Sequence, residues 1–155
     1  MDKANKIIDK HTAIAIATST TPIPIIDLAA LWATHSIMLK ELADYYEQPL
    51  DSKKLQSLSF SLISSLGTFS IGGYVGSSIV KFIPGMGTIL GITSLAFISS
   101  ATTYALGHTY SKYAKKGGDM SDSSFEDVKK TFQKEYLVGR KISSDLIKKN
   151  KSSGN

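Results

Sequence analysis

One stretch of the chain constrains its fold more than any other: residues 55–111 contain a single formally charged side chain, Lys81. Globular proteins average about one charged residue in four. A stretch of this length and composition therefore has to be kept from water, either by a membrane or by the rest of the protein. Its length allows for two helices, so we expect either a membrane-inserted helical hairpin or the buried centre of a helical bundle.

The net charge of +5 is unevenly distributed along the chain. Residues 1–50 are slightly acidic, residues 51–111 are slightly basic, and residues 112–155 hold eleven basic and six acidic side chains. This basic region fits an anionic lipid surface. A solvated helix of mixed charge is the alternative, because four acidic residues interleave with the lysines: Glu126, Asp127, Glu135 and Asp145. The region lacks the dense basic stripe with interleaved aromatic residues that nucleic-acid binding needs, so no nucleic-acid partner is expected.

The reactive side chains exclude several classes of protein. The chain has no cysteine, which rules out disulfides, Cys-ligated zinc or iron–sulfur centres and a Cys nucleophile. Its three histidines, His11, His35 and His108, are far apart, so no metal site is expected. No GxxxxGK[ST] phosphate-binding motif is present, and no nucleophile can be matched with a base. We therefore predict a protein that is not an enzyme and needs no cofactor.

Proline and glycine punctuate the sequence at helix-length intervals, and apolar residues recur at the helical spacing. The pattern predicts an all-α domain over residues 1–150 and a disordered tail over 151–155. Pro24 suits a first helical turn, Asp51 or Ser52 can cap a helix, and the pair Gly117-Gly118 can end one. The five expected helices cover residues 3–19, 24–46, 52–80, 88–115 and an amphipathic 121–148.

The central hairpin is expected to span residues 55–111, since 55–80 and 82–111 are each long enough to cross about 30 Å of hydrocarbon. Lys81, Pro84 and Gly85 would form its turn. Two GxxxG patterns indicate close helix packing or an oligomer interface. They consist of Gly72 with Gly76 and of Gly87 with Gly91.

Lysines flank the hairpin on both sides, with Lys53 and Lys54 before it and Lys112 after it. If it inserts, both ends lie on the cytoplasmic face of the inner membrane. A cytoplasmic helical bundle that covers the hairpin with its outer helices is the alternative.

Asp27 and His35 are eight residues apart on the second helix and share roughly one face. A buried polar pair of this kind could relay protons or line a pore. The alternative is an aspartate that stabilises the helix N-terminus and a hydrogen-bonded core histidine. A catalytic role for the two is a weaker possibility. Trp32 is either an interfacial anchor or a packing residue.

An ordered set of motifs resembles the bacterial domain of unknown function 697 family over residues 12–141. The motifs are PIPIIDLAAL at 22–31, LKELADYY at 39–46, FIPGMGT at 82–88, TYALGH at 103–108, YAKKGGD at 113–119 and GRK at 139–141. The resemblance implies a helical, membrane-associated domain that is often encoded with or fused to a small Ras-like GTPase. It implies no established catalysis and no catalytic residues.

Together these observations predict a membrane-associated helical protein without catalytic function. Its expected partners are membrane lipid, further copies of itself and a small GTPase. A soluble helical-bundle adaptor or binding module is the alternative.

Overall fold

The computed structural model describes residues 2–18, 24–72 and 88–153. Five α-helices lie within these ranges, which confirms the predicted all-α class. They are α1 (Lys3–Thr18), α2 (Pro24–Tyr45), α3 (Ser52–Gly72), α4 (Thr88–Ala114) and α5 (Phe125–Ser153), with a short 3₁₀-helix (Met120–Asp122) before α5. The last helix extends to Ser153, beyond its predicted end at residue 148.

Two helix ends form as their sequences predict. One carboxylate oxygen of Asp51 accepts from the backbone N–H groups of Lys53 and Lys54 at 3.1 Å each, which caps α3. At the end of α4, Gly117 has a φ of 71°, and the N–H of Gly118 donates to the carbonyl of Tyr113 at 3.1 Å. A glycine accepts this left-handed backbone without a Cβ penalty.

The end of α2 uses the same geometry with a less suitable residue. The N–H of Gln48 donates to the carbonyl of Ala43 at 2.9 Å, and Glu47 between them has a φ of 53°. A side chain with a Cβ is strained in this left-handed region. The chain therefore leaves α2 through a turn that glycine would adopt more easily.

Helix α4 is the centre of the fold, with α1, α2 and α5 packed against it. Every residue of 99–107 is buried. Four of its buried hydroxyls donate to carbonyls of their own helix, as in Thr103 to Ser99 at 2.7 Å and Thr109 to Ala105 at 2.7 Å. These bonds satisfy the hydroxyl hydrogens where the side chains are buried. The lack of charge over residues 96–111 is therefore explained by burial inside the protein.

Two glycines allow the helices to pack closely around α4. A Cβ on Gly139 of α5 would lie 2.9 Å from the carbonyl oxygen of Ala101, and one on Gly107 would lie 2.8 Å from Ile8 of α1. Large apolar side chains fill the spaces between the helices. The largest that are fully buried are Ile8, Met38, Leu42, Leu62, Leu106, Met120, Val128 and Phe132.

One side of α1 is buried and includes most of its isoleucines. Ile7, Ile8 and His11 are buried, whereas Ile14 is 38% exposed. The buried face also includes Ala15 and Ile16. Ile14 lies at the edge of this buried face.

Helix α3 contacts α5 and the 3₁₀-helix. Leu55, Leu62 and Leu66 are buried along one side. The opposite side is exposed and carries uncharged polar residues, such as Gln56 and Ser57, together with Phe60. Over residues 55–66 the low charge therefore reflects a serine-rich surface rather than complete burial.

Candidate functional site

His35 is the most buried of the residues that the sequence singles out. It lies on α2 with 1% of its surface exposed, and its Nε2 is 3.0 Å from Oγ1 of Thr103 on α4. Burial, with a smaller contribution from nearby His11, lowers the pKa of His35 to about 4. The ring is therefore neutral at pH 7, and it joins α2 to the central helix.

His11 lies close to this histidine at the contact between α1 and α2. Its Nε2 is 3.4 Å from Oε1 of Glu41, a close contact that does not have the geometry of a well-formed hydrogen bond. Burial lowers the pKa of His11, and the nearby Glu41 carboxylate opposes that effect. The hydrogen bonds from Lys10, at 2.6 and 2.7 Å to the two carboxylate oxygens, lower the pKa of Glu41. The contacts of Lys10 and His11 with Glu41 join α1 to α2.

The predicted pairing of Asp27 with His35 remains a prediction. Asp27 belongs to α2, but its side chain is outside the part of the chain that the structure describes. The observed partner of His35 is Thr103, a residue that the sequence did not indicate because the two are 68 positions apart. The sequence signal that could have indicated Thr103 is the recurrence of Ser and Thr four positions apart in α4.

The turn of the predicted hairpin and one glycine of each GxxxG pattern lie outside the described ranges. Gly72 is the last residue of α3 and Gly91 belongs to α4. Gly76 and Gly87, with which they form the GxxxG patterns, lie outside the described residues, as does the predicted turn formed by Lys81, Pro84 and Gly85. The close-packing glycines that the structure does describe are Gly107 and Gly139.

An aromatic pair lies on the surface between α2 and α3. Trp32 stacks on Phe60 with ring centroids 6.0 Å apart, and its other neighbour is His35, edge-on at 6.1 Å. Phe60 is 60% exposed. Lys53 lines the same surface depression. A small cavity of about 40 Å³ beneath Trp32 reaches His35 and has room for a few water molecules.

Across the described residues, no group of three or more His, Cys, Asp or Glu side chains is arranged to hold a metal ion. Within the same ranges, none of the helices combines the length and the hydropathy needed to cross a bilayer.

The fold defines an all-α protein whose buried histidine and ion pairs join helices to one another. The chain belongs to the family described as Domain of unknown function (DUF697), whose profile matches residues 1–137. The family resemblance seen in the sequence motifs is thereby confirmed.

A curated relative is similar over most of the chain. It is the magnetosome membrane protein 22 of Magnetospirillum gryphiswaldense, which is 30% identical over 143 residues, or 92% of this chain and 73% of the relative. No solved structure matches significantly.

Proposed function

We propose that this chain is a helical protein that works at a membrane and has no catalytic activity. The observation that carries the proposal is the 30% identity to a magnetosome membrane protein across 92% of the chain. Because the similarity covers 92% of this chain, the proposal places the membrane function in the helical domain.

The aromatic pair on the surface supports this proposal. Phe60 exposes 60% of its surface while it stacks on Trp32, and Lys53 lines the same depression. Aromatic side chains are favoured at the boundary between lipid and water, and a nearby lysine can extend its ammonium group to the headgroups. We infer that Trp32 acts as an interfacial anchor.

The contacts of the titratable groups support the absence of catalysis. His35 is bonded to Thr103, Lys10 to Glu41, and Lys112 to Glu135. Each of these contacts joins two different helices, so each group has a structural use. A general acid or base would instead need to face a site that a substrate can enter.

Three finer expectations belong to the same proposal. The lysines that flank residues 55–111 favour the cytoplasmic face of the inner membrane. The family resemblance implies a small GTPase partner, which would be tested first with any GTPase encoded beside this chain.

The GxxxG pattern favours self-association, so Gly72→Leu with Gly76→Leu should lower the particle mass by light scattering in detergent. An unchanged mass would contradict that role.

A second candidate function is an adaptor that binds partner proteins away from membranes. The burial of α4 favours it, because α1, α2 and α5 already cover the charge-free residues 99–107 without lipid. This reading needs no hairpin insertion.

Cell fractionation distinguishes the two functions. The membrane proposal expects the protein in the membrane pellet, and extraction with carbonate would then separate surface-bound from inserted protein. Phe60→Ser should shift more protein to the supernatant than the matched control Ile37→Ser, which alters another exposed apolar side chain. Wild-type protein found wholly in the supernatant without detergent would contradict the membrane proposal and favour the adaptor.

A further inference from the structure

The outer side of α5 carries a basic face that the sequence alone did not resolve. Its members recur along one side of the helix and are all exposed: Lys130, Lys134, Leu137, Val138, Lys141, Asp145 and Lys148. We call this set the α5 face. With a rise of 1.5 Å per residue, it extends about 27 Å along the helix.

The structure separates the acidic residues of α5 from most of this face. Glu135 is buried and forms an ion pair with Lys112 of α4. Glu126, in the first turn, lies 3.5 Å from Lys129. Asp127 is exposed one turn before Lys130, so Asp145 is the one exposed acidic residue within the run from Lys130 to Lys148. The face carries four positive charges against one negative charge.

The lysines of the α5 face are not used within the described part of the protein. Lys130, Lys134, Lys141 and Lys148 form no ion pair with any described carboxylate. Their ammonium groups are thus available for an anionic partner outside the chain, unlike Lys10 or Lys112, which are paired with carboxylates of neighbouring helices.

Two apolar side chains lie in the middle of these lysines. Leu137 is 46% exposed and Val138 is 45% exposed, between Lys134 and Lys141. Lysines around a small apolar centre on one helix face are typical of helices that lie in the membrane interface, where the apolar groups enter the acyl boundary and the lysines contact headgroups. A polyanion without acyl chains offers no such place for Leu137 and Val138.

We propose that the α5 face is the surface through which this protein binds an anionic lipid membrane. The inference rests on the proposed membrane function and assigns it a location and a lipid class. The helix would lie along the membrane, with its lysines on the phosphate groups and its opposite face on α4.

The test is flotation of the full chain with phosphatidylcholine vesicles that do or do not contain phosphatidylglycerol. The variant Lys134→Gln/Lys141→Gln/Lys148→Gln removes three charges from the α5 face. The control Lys6→Gln/Lys40→Gln/Lys116→Gln removes three exposed charges elsewhere, so its net charge equals that of the first variant. Circular dichroism of both variants verifies that they remain helical.

Each lysine close to an anionic surface strengthens binding by about fivefold, so the first variant should bind anionic vesicles at least tenfold more weakly than wild type. The control should stay within a factor of about three, and added salt should weaken wild-type binding. Equal losses in the two variants, or equal binding of wild type to neutral vesicles, would overturn the assignment.

A further double variant tests which kind of molecule binds the α5 face. Leu137→Ser/Val138→Ser should weaken vesicle binding, because it removes the apolar centre of the face. If it leaves vesicle binding unchanged and duplex DNA displaces the vesicles, the occupant is nucleic acid and the lipid assignment is wrong.

Membrane fractionation of the α5 variants keeps the two proposals apart. A protein that stays in the membrane pellet but binds vesicles independently of Lys134, Lys141 and Lys148 contradicts only the α5 face.

Discussion

His35 donates a hydrogen bond to Thr103 across the contact between α2 and α4. The Thr103 hydroxyl gives its own hydrogen to the carbonyl of Ser99 at 2.7 Å, so at 3.0 Å it accepts from the histidine. The proton of the neutral ring therefore lies on Nε2, an assignment made from the hydrogen-bond network. Nδ1 is left buried without a partner among the described residues. The stability of the core thus depends on keeping this ring neutral.

Replacement of Thr103 by valine should destabilise the protein. Thr103→Val keeps the shape of the side chain but leaves the Nε2–H of His35 without an acceptor. A buried donor that loses its partner costs about 1–3 kcal/mol. Chemical denaturation with urea would measure the change in the free energy of unfolding.

The matched control for this variant is Thr109→Val on the same helix. Thr109 is as buried as Thr103, and its hydroxyl donates to the carbonyl of Ala105. Its removal orphans no histidine, so the expected loss is smaller. Equal losses at the two positions would show that the bond from His35 contributes nothing.

The free energy of unfolding should fall as the pH drops from about 6.5 towards 4. Burial lowers the pKa of His35 from its ordinary 6.5 to about 4 in the folded state, so the unfolded chain takes up the proton first. The difference corresponds to about 3 kcal/mol of lost stability at pH 4. His11 and Glu41, whose pKa values are also lowered, act in the same direction.

The variant His35→Gln isolates the contribution of one ring. It should unfold with a shallower dependence on pH than wild type between 6.5 and 4, whatever its stability at pH 7. Denaturation midpoints measured at several pH values would give the two slopes. Parallel curves would mean that His35 is not the titrating group.

Alanine at position 139 should destabilise the contact between α4 and α5. Its Cβ would lie 2.9 Å from the carbonyl oxygen of Ala101 and 3.1 Å from the ring of Tyr104. The first of these is a backbone atom, which cannot move aside without shifting α4. Overpacking of this kind costs about 1–3 kcal/mol.

Gly118→Ala is the comparison, because its Cβ would meet only the carbonyl of Tyr113 at 3.7 Å. Thermal unfolding of the two variants should separate them by several degrees. A Gly139→Ala protein as stable as Gly118→Ala would argue against the close crossing.

Glycine at position 47 should stabilise the protein by up to about 1 kcal/mol. Glu47 has a φ of 53° at the end of α2, where its Cβ is strained and glycine is not. Glu47→Ala removes the carboxylate but keeps the Cβ, so it should not stabilise in the same way. If both variants gain equally, charge rather than backbone strain explains the effect. Urea denaturation would measure all three proteins.

Helix ends could be predicted because their signals are local. Such signals act within a few residues: α2 begins at Pro24, and of the candidates for the other two ends the structure selects Asp51 and Gly117. Contacts between distant residues have no such signal. Neither the acceptor role of Thr103 nor the pairing of Glu135 with Lys112 can be seen until α4 is known to lie at the centre.

The composition of residues 55–111 could not decide between lipid and protein surroundings, since both favour uncharged side chains. The structure assigns residues 96–111 of α4 to the protein core and the exposed side of residues 55–66 to a serine-rich surface. The two GxxxG patterns likewise drew attention away from Gly107 and Gly139, whose partners lie on other helices. A glycine without a second glycine four residues away gives no pattern to detect.

The modest attachment of α3 has a consequence for how the molecule opens. Among the described residues, α1, α2 and α5 all pack on α4, whereas α3 packs against α5 and the 3₁₀-helix and meets α2 through Phe60 and Trp32. Elements with fewer buried contacts open at lower free energy than the core around them. The amide hydrogens of residues 55–66 should therefore exchange with solvent sooner than those of residues 99–107. In native-state exchange, α3 would detach as a separate cooperative unit while the other four helices stay folded.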